Sequence, residues 1–527
     1  MKTALRWAAI LAVSAAAAAL CAQTREHLLP RLVHKDGRYA LFVDDAPYLM
    51  LGAQVGNSSA WPGVLPKVWP AITYLHANTV EMPVYWEQFE PRPGQFDYTV
   101  TDTLLAQARQ HRVHLVLLWF GLYKNGSQHY TPEWMKLDPQ RYPHIVDQNG
   151  RDVDSPSPYA KASLDADIHA FTAFMRHLKA ADTEHTVLLV QVENEAGTWQ
   201  IQRDYSAVAN KLFEAPVPAD VLAAMHVPAT TPAPSWKEAF GAEAEVCFHA
   251  WSVATYVGKV AAAGKAVYPL PLYANAALRR AIPPGPPGTY ESGGPTDNVL
   301  PIWKVAAPTL DILAPDIYVN DSAEYLKVLD LYRRDDNALF VPETGHSAGV
   351  ARFLFSALGR GAIGFSPFGM DYVEGATEEQ FKPIAQDYLL IEPIARLVAR
   401  LNFEGKLQAV AEEEGKVSQT LDFGAWKAEV SYGAIRNNPP HGHDGSPIGR
   451  ALVAQLGENQ FLVTGLFSRV DFRPSAPEKQ RQFLRVEEDT YENGAFKMIR
   501  IWNGDETDWG LNFRSEPVLL RVSLATF

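Results

Sequence analysis

Between about residue 30 and residue 370, short apolar runs alternate with longer stretches that repeat apolar positions every three to four residues. A run of four to eight apolar residues bounded by turn formers suits a strand buried on both faces, and the longer periodic stretches suit amphipathic helices. Eight such runs predict strands, at 48–53, 79–85, 113–119, 187–192, 266–273, 310–317, 338–341 and 362–365. Helices are predicted over 100–110, 165–179, 248–263 and 325–333. Strands that alternate with helices predict an α/β fold with a parallel sheet, and eight of them predict a closed (β/α)8 barrel whose site lies at the strand C-terminal ends. The barrel is expected over residues 23–395. The stretch between the fourth and fifth strands is unusually long, and its Pro283-Pro284-Gly285-Pro286-Pro287-Gly288 segment predicts a loop.

The texture changes near residue 400. Strand-like runs follow at 427–431, 451–455, 460–464, 497–502 and 518–524, broken by Gly, Asn and Pro with no helical pattern between them. This predicts a C-terminal β-sandwich-like domain over residues 396–527. At the other end, Lys2 and Arg6 precede an apolar, Ala-rich run over 7–20, with the small Ala22 behind it. These are the parts of an export signal, expected over residues 1–22. The run is shorter than the roughly 20 residues that span a bilayer, so cleavage is expected rather than stable membrane insertion. Export places the chain in the periplasm or outside the cell. A lipid anchor through Cys21 is the alternative, disfavoured by the bulky Leu20 beside it. If Cys21 departs with the signal, only Cys247 remains, and no internal disulfide forms.

Composition narrows the function. With 47% hydrophobic and 20% charged residues the chain is globular rather than disordered. A net charge of −13 argues against nucleic-acid binding, which needs a basic face to displace phosphate counterions. Aromatic residues are plentiful, as in clefts that stack sugars, and also as in any large core.

Two predicted strands run directly into carboxylates. The fourth ends in Gln191-Val192-Glu193-Asn194-Glu195, and the seventh in Val341-Pro342-Glu343-Thr344-Gly345. Acidic clusters at strand tips are costly unless used or paired. Glycoside cleavage needs two carboxyl groups flanking the anomeric carbon, one to donate a proton and one to attack or to direct water. Structural salt bridges at the barrel rim are the plain alternative for either Glu alone. On residue types alone, Glu193 and Glu195 remain rivals for the proton donor.

Gln191-Val192-Glu193-Asn194-Glu195 resembles the signature of family 35 glycoside hydrolases, chiefly β-galactosidases. Asn78-Thr79-Val80-Glu81-Met82-Pro83-Val84-Tyr85-Trp86-Glu87-Gln88-Phe89-Glu90-Pro91 resembles the second-strand region of that family and its relatives, and Gly94-Gln95-Phe96-Asp97-Tyr98 continues the likeness. The resemblance covers most of residues 40–400, and the C-terminal part resembles a domain attached to a bacterial branch of these enzymes. It implies Glu195 as general acid/base, Glu343 as nucleophile, a retaining mechanism, and Asn194 bonding the sugar 2-hydroxyl. The ionised Glu343 would then raise the Glu195 pKa. Tyr318, at the end of the sixth strand, is implied to orient Glu343. Trp86, Glu87 and Trp119, ending the second and third strands, are candidates for the sugar pocket, with Asn275 and Phe365 behind them. The family has an Asn and then a His-Glu pair on the second strand, where this chain has Glu87-Gln88-Phe89-Glu90, so sugar recognition is left open. An exo-acting β-galactosidase is expected, with α-L-arabinopyranosidase, β-glucosidase or endo-glycanase specificity as the alternative.

Gly345-His346-Ser347-Ala348-Gly349 matches the elbow of serine esterases, but that elbow puts Ser at the turn itself, and the strand here ends at Glu343. His441-Gly442-His443-Asp444 reads as a polar turn rather than a metal site, because no further ligand cluster accompanies it. No metal and no organic cofactor is expected, since the chain lacks a phosphate-cradling Gly loop. The expected partner is a galactosylated oligo- or polysaccharide.

Overall fold

The computed structural model describes residues 28–228, 230–432 and 446–527. The expected signal at residues 1–22, with Cys21, and the His441, His443, Asp444 turn lie outside the described residues.

Eight parallel strands close into a barrel. They are β1 (Met50–Gln54), β2 (Thr79–Tyr85), β3 (His114–Lys124), β4 (Val187–Asn194), β5 (Leu272–Ala277), β6 (Ile312–Ile317), β7 (Val341–Thr344) and β8 (Gly364–Pro367). Every residue of β1, β2 and β4 to β8 is buried, which is why each reads as an apolar run rather than an alternating one. At least one helix follows each strand, the principal ones being α1 (Trp69–Leu75), α2 (Thr99–His111), α3 (Lys161–Ala181), α4 (Ala244–Val267), α5 (Leu300–Ala306), α6 (Ser322–Tyr332), α7 (Phe353–Gly359) and α8 (Glu378–Ile391). Each of the eight predicted strands overlaps an observed one. The fifth was placed too early, because Ala266 and Val267 end α4, a helix buried on most of its circumference whose apolar sequence runs on to the strand.

A helix at Ala395–Phe403 leads into two antiparallel sheets. The six-stranded sheet comprises β9 (Leu407–Ala411), β12 (Arg450–Gly457), β13 (Gln460–Leu466), β18 (Val518–Thr526), β15 (Arg481–Glu492) and β16 (Ala495–Ile501), in that spatial order. The four-stranded sheet comprises β10 (Ser418–Asp422), β11 (Trp426–Ser431), β14 (Ser468–Pro474) and β17 (Leu511–Phe513). Strand alternation explains how the larger sheet serves two cores at once. On β12, Leu452 and Ala454 join the barrel's core, while Ala451 and Val453 join the core between the sheets. β13 repeats the pattern, with Leu462 toward the barrel and Phe461 and Val463 away from it. The larger sheet is therefore the middle layer between barrel and smaller sheet. Arg450 on β12 ties it to α8 through a buried ion pair with Asp387, at 2.6 Å.

Candidate active site

The C-terminal ends of β4, β6 and β7 bring Glu195, Asp316 and Glu343 together, with one oxygen of each within 4.8 Å of the others. Asp316 and Glu343 are register neighbours on adjacent strands. Glu195 reaches the group because the end of β4 is not a regular strand. In an extended strand, residues 191, 193 and 195 would share one face. Here Glu193 and Glu195 have φ of +64° and +43°, left-handed conformations that cost a non-glycine residue about 1–3 kcal/mol each.

The irregularity sorts the two acids. Glu193 turns outward, where its Oε2 accepts a hydrogen bond from the Tyr123 N–H at 2.6 Å. It lies against Asp167 of α3, which also accepts hydrogen bonds from the Trp119 indole at 3.1 Å and the Tyr256 hydroxyl at 3.0 Å. Burial and then the Asp167 charge push Glu193 well above the usual carboxylate range, and burial likewise raises Asp167. Glu195 faces the barrel axis. Its backbone N–H donates to Asn275 Oδ1 at 3.0 Å, and burial followed by the nearby Glu343 charge raises its pKa to about 7, against an opposing pull from the Lys124 ammonium. Glu195, not Glu193, is brought to Glu343.

Glu343 is held at both oxygens. The Tyr318 hydroxyl donates to Oε1 at 2.5 Å and the Gln54 amide, from the end of β1, donates to Oε2 at 2.9 Å. Asn275, at the centre of β5, donates to Asp316 Oδ2 at 2.7 Å, so one amide fixes both the β4 tip and the third carboxyl. Asp316 is pushed well above its ordinary range by burial and by Glu343 and Glu195. Like charges within 4.8 Å of one another repel by about 3 kcal/mol or more per pair at an effective dielectric of 20, which favours protons on Glu195 and Asp316. Glu291 is a further buried carboxyl, raised by burial and by the charge of Glu195.

Among the described residues, Glu195, Asp316 and Glu343 are the group whose oxygens could hold a metal ion. The donor set fits poorly. Tyr318, Gln54 and Asn275 already aim hydrogens at three of those oxygens, and a cation would have to displace them.

The other predicted residues divide. Tyr318 is half exposed beside Glu343. Asn194 is buried next to the cluster, its oxygen accepting from Gln191 at 3.0 Å and Asn275 at 3.4 Å and its nitrogen donating to Asn125 at 3.2 Å. The structure does not bring Trp86 and Trp119 to the site. Both are 0% exposed, with Trp86 donating to Glu90 at 2.8 Å and Trp119 to Asp167, in the layer between strands and helices. Glu87 is at the surface, paired with Lys136 at 3.2 Å. Phe365 is buried core. Ser347 stands beyond the strand as the N-cap of a one-turn helix, Ala348–Ala351, and not at a strand-to-helix elbow. Sequence reasoning missed Gln54, Lys124, Asp316 and Glu291. Asp316 did carry a signal, being an acid within the apolar run of β6 just as Glu343 is within β7.

A protein-family model described as a domain of unknown function (DUF5597) matches residues 384–514, from within α8 to β17. No curated protein matches the chain in sequence. Among solved structures, the β-galactosidase from Rahnella sp. R3 is similar at 15% identity and a TM-score of 0.49, over 67% of this chain and 58% of that one. The β-galactosidase from Bacillus circulans sp. alkalophilus gives 13% and 0.48, over 66% and 57%. The exo-β-1,4-mannosidase Op5Man5 from Opitutaceae bacterium strain TAV5 gives 14% and 0.42, over 70% and 63%. The chain thus spans less than two thirds of each of these proteins, and likenesses of this strength carry no argument about activity.

Proposed function

We propose that the chain is a retaining glycoside hydrolase, an exo-acting β-galactosidase with Glu343 as nucleophile and Glu195 as acid/base. The observation that carries this reading is the approach of Glu195 to Glu343 within 4.8 Å on facing strand ends. Retaining enzymes place their carboxyl groups about 5–5.5 Å apart, whereas inverting enzymes leave about 6.5–9.5 Å for a water. A pKa of about 7 lets Glu195 enter the first step protonated and give its proton to the departing oxygen. Glu343, oriented by Tyr318 and Gln54, attacks the anomeric carbon and forms a glycosyl-enzyme. Glu195, now a carboxylate, takes a proton from the water that releases the sugar. Asp316, fixed by Asn275, would hold a proton beside both groups.

Galactose as the preferred sugar rests on the Gln191–Glu195 signature. The N-terminal basic and apolar residues support export, and the sheet layer that completes the barrel core supports a stabilising role for the C-terminal region. The test is a screen of p-nitrophenyl glycosides on purified protein in EDTA. Hydrolysis of the β-galactoside ahead of the β-glucoside and the α-L-arabinopyranoside is expected. Activity on another β-glycoside first would correct the sugar, and activity that needs an added divalent ion would overturn the metal-free mechanism.

A further inference from the structure

The loops after β3, β4 and β5 line an open hollow of about 360 Å³, with Trp199, Tyr205 and Tyr290 together with the amides of Gln148, Asn149 and Gln202 in its wall. Its most telling feature is Trp199, 55% exposed, which with Trp61 and Trp509 stands out in a chain that fully buries Trp86, Trp119, Trp236, Trp303 and Trp426. Exposing a large aromatic face to water forgoes burial that stabilises the fold, and an aromatic platform ringed by amides is the surface on which a pyranose stacks and hydrogen-bonds.

The hollow is built partly on the segment that Glu195 begins, and Tyr290 in its lining is next to Glu291, whose carboxyl feels the Glu195 charge. Trp199 follows Glu195 by four residues, at most about 14 Å of chain. Thr198 and Ser292 exchange backbone hydrogen bonds at 2.8 and 2.9 Å, tying this segment to the loop that carries Glu291 and Tyr290. At Gly197 a Cβ would stand 2.5 Å from the Ser292 carbonyl oxygen, so the approach of the two loops requires glycine. The polar wall is fixed in advance. The Tyr205 hydroxyl donates to Glu245 at 2.9 Å and accepts from Gln148 at 3.2 Å, while Arg203 lies 4.0 Å over the Tyr205 ring and 3.3 Å from Glu245. A wall held this way loses little freedom when a ligand arrives.

We propose that this hollow is the leaving-group subsite, binding the pyranose beyond the scissile bond of a neutral β-linked oligosaccharide with its apolar face on Trp199. The inference rests on the reading of Glu195 as proton donor. A proton donor touches the glycosidic oxygen, so the departing sugar lies on its side of the cleft, and the hollow is built from the loop that Glu195 begins. Asp147 and Glu245 in the lining select against acidic sugars.

The experiment compares wild type with Trp199→Ala on β-galactosyl fluoride and on the β-1,4-linked tetraoses of galactose, glucose, xylose and mannose. In parallel, the same tetraoses are titrated into Glu343→Gln protein with and without Trp199→Ala, following tryptophan fluorescence. Trp199→Ala is expected to leave kcat/KM on β-galactosyl fluoride, whose one-atom leaving group cannot reach the hollow, within about twofold and to lower it about tenfold on the cleaved tetraose, chiefly through KM. The tetraose should change the fluorescence only when Trp199 is present. Equal tetraose kinetics in the two proteins, or a fluorescence change that survives loss of Trp199, overturns the subsite. A Trp199-dependent fluorescence change in a protein that hydrolyses no glycoside would overturn the hydrolase reading while sparing the sugar site.

Discussion

Glu193 and Glu195 leave one strand two residues apart and end in different compartments, one against Asp167 in the helix layer and one against Glu343 at the barrel axis. Their roles separate by experiment on the same basis. Glu195→Ala should spare glycosylation by activated aryl substrates, whose leaving groups need no proton, and slow the hydrolysis that follows by roughly 10²–10⁴-fold. Azide should then restore turnover and give a β-glycosyl azide. Glu193→Ala should instead lower stability by removing one partner of a buried pair, with no azide effect. Azide rescue of the Glu193 variant alone would reverse the assignment. For Glu343→Ala, turnover should be lost and azide should yield the α-glycosyl azide, the product of direct displacement on an enzyme without its nucleophile. Substrates with poor leaving groups should show kcat/KM falling as pH rises through about 7, where Glu195 loses the proton it must donate. A profile flat to pH 9 would remove Glu195 as the acid.

At the scale of elements, the middle sheet is held to the barrel by apolar alternation and by Arg450, whose guanidinium meets Asp387 of α8 in a buried ion pair. Burial raises Asp387 to about 6 even with Arg450 opposing. Arg450→Ala should therefore cost about 3–5 kcal/mol at pH 8, where the carboxylate is left uncompensated, and less at pH 5, where it takes a proton. Denaturant unfolding at the two pH values checks this, and equal losses at both would show that charge is not the cause. The strands were legible because burial on both faces writes an apolar run, and the glutamates were legible because a charge at the end of such a run is expensive. Which wall a strand-end side chain joins was not legible. Trp86 directly follows β2 and Trp119 lies in the middle of β3, which runs on to Lys124, and both point into the helix layer, while the positive φ at Glu193 and Glu195 breaks the alternation from which facing would be read. Gln54 and Asn275 escaped weight because an uncharged amide in a strand is cheap, and only the fold shows that they hold Glu343, Asp316 and the β4 tip.

For the whole molecule, the burden of buried acids sets a pH dependence. Glu81 is raised to about 8, Glu195 to about 7 and Asp387 to about 6, each chiefly by burial. Between the ordinary carboxyl values near 4 and these raised values, the folded protein binds more protons than the unfolded chain, so stability falls as pH rises through that window. The unfolding midpoint should drop by about 5 °C or more from pH 5 to pH 8, and a midpoint that rises over that range would contradict the burial of these groups as acids. The central claim, that Glu343 and Glu195 act together by double displacement, is tested most directly on the intact wild-type protein. Proton NMR during the first minutes of hydrolysis of an aryl β-galactoside reports which anomer is released before mutarotation. The account predicts β-galactose first, with the α anomer appearing later, and α-galactose as the first product would contradict it.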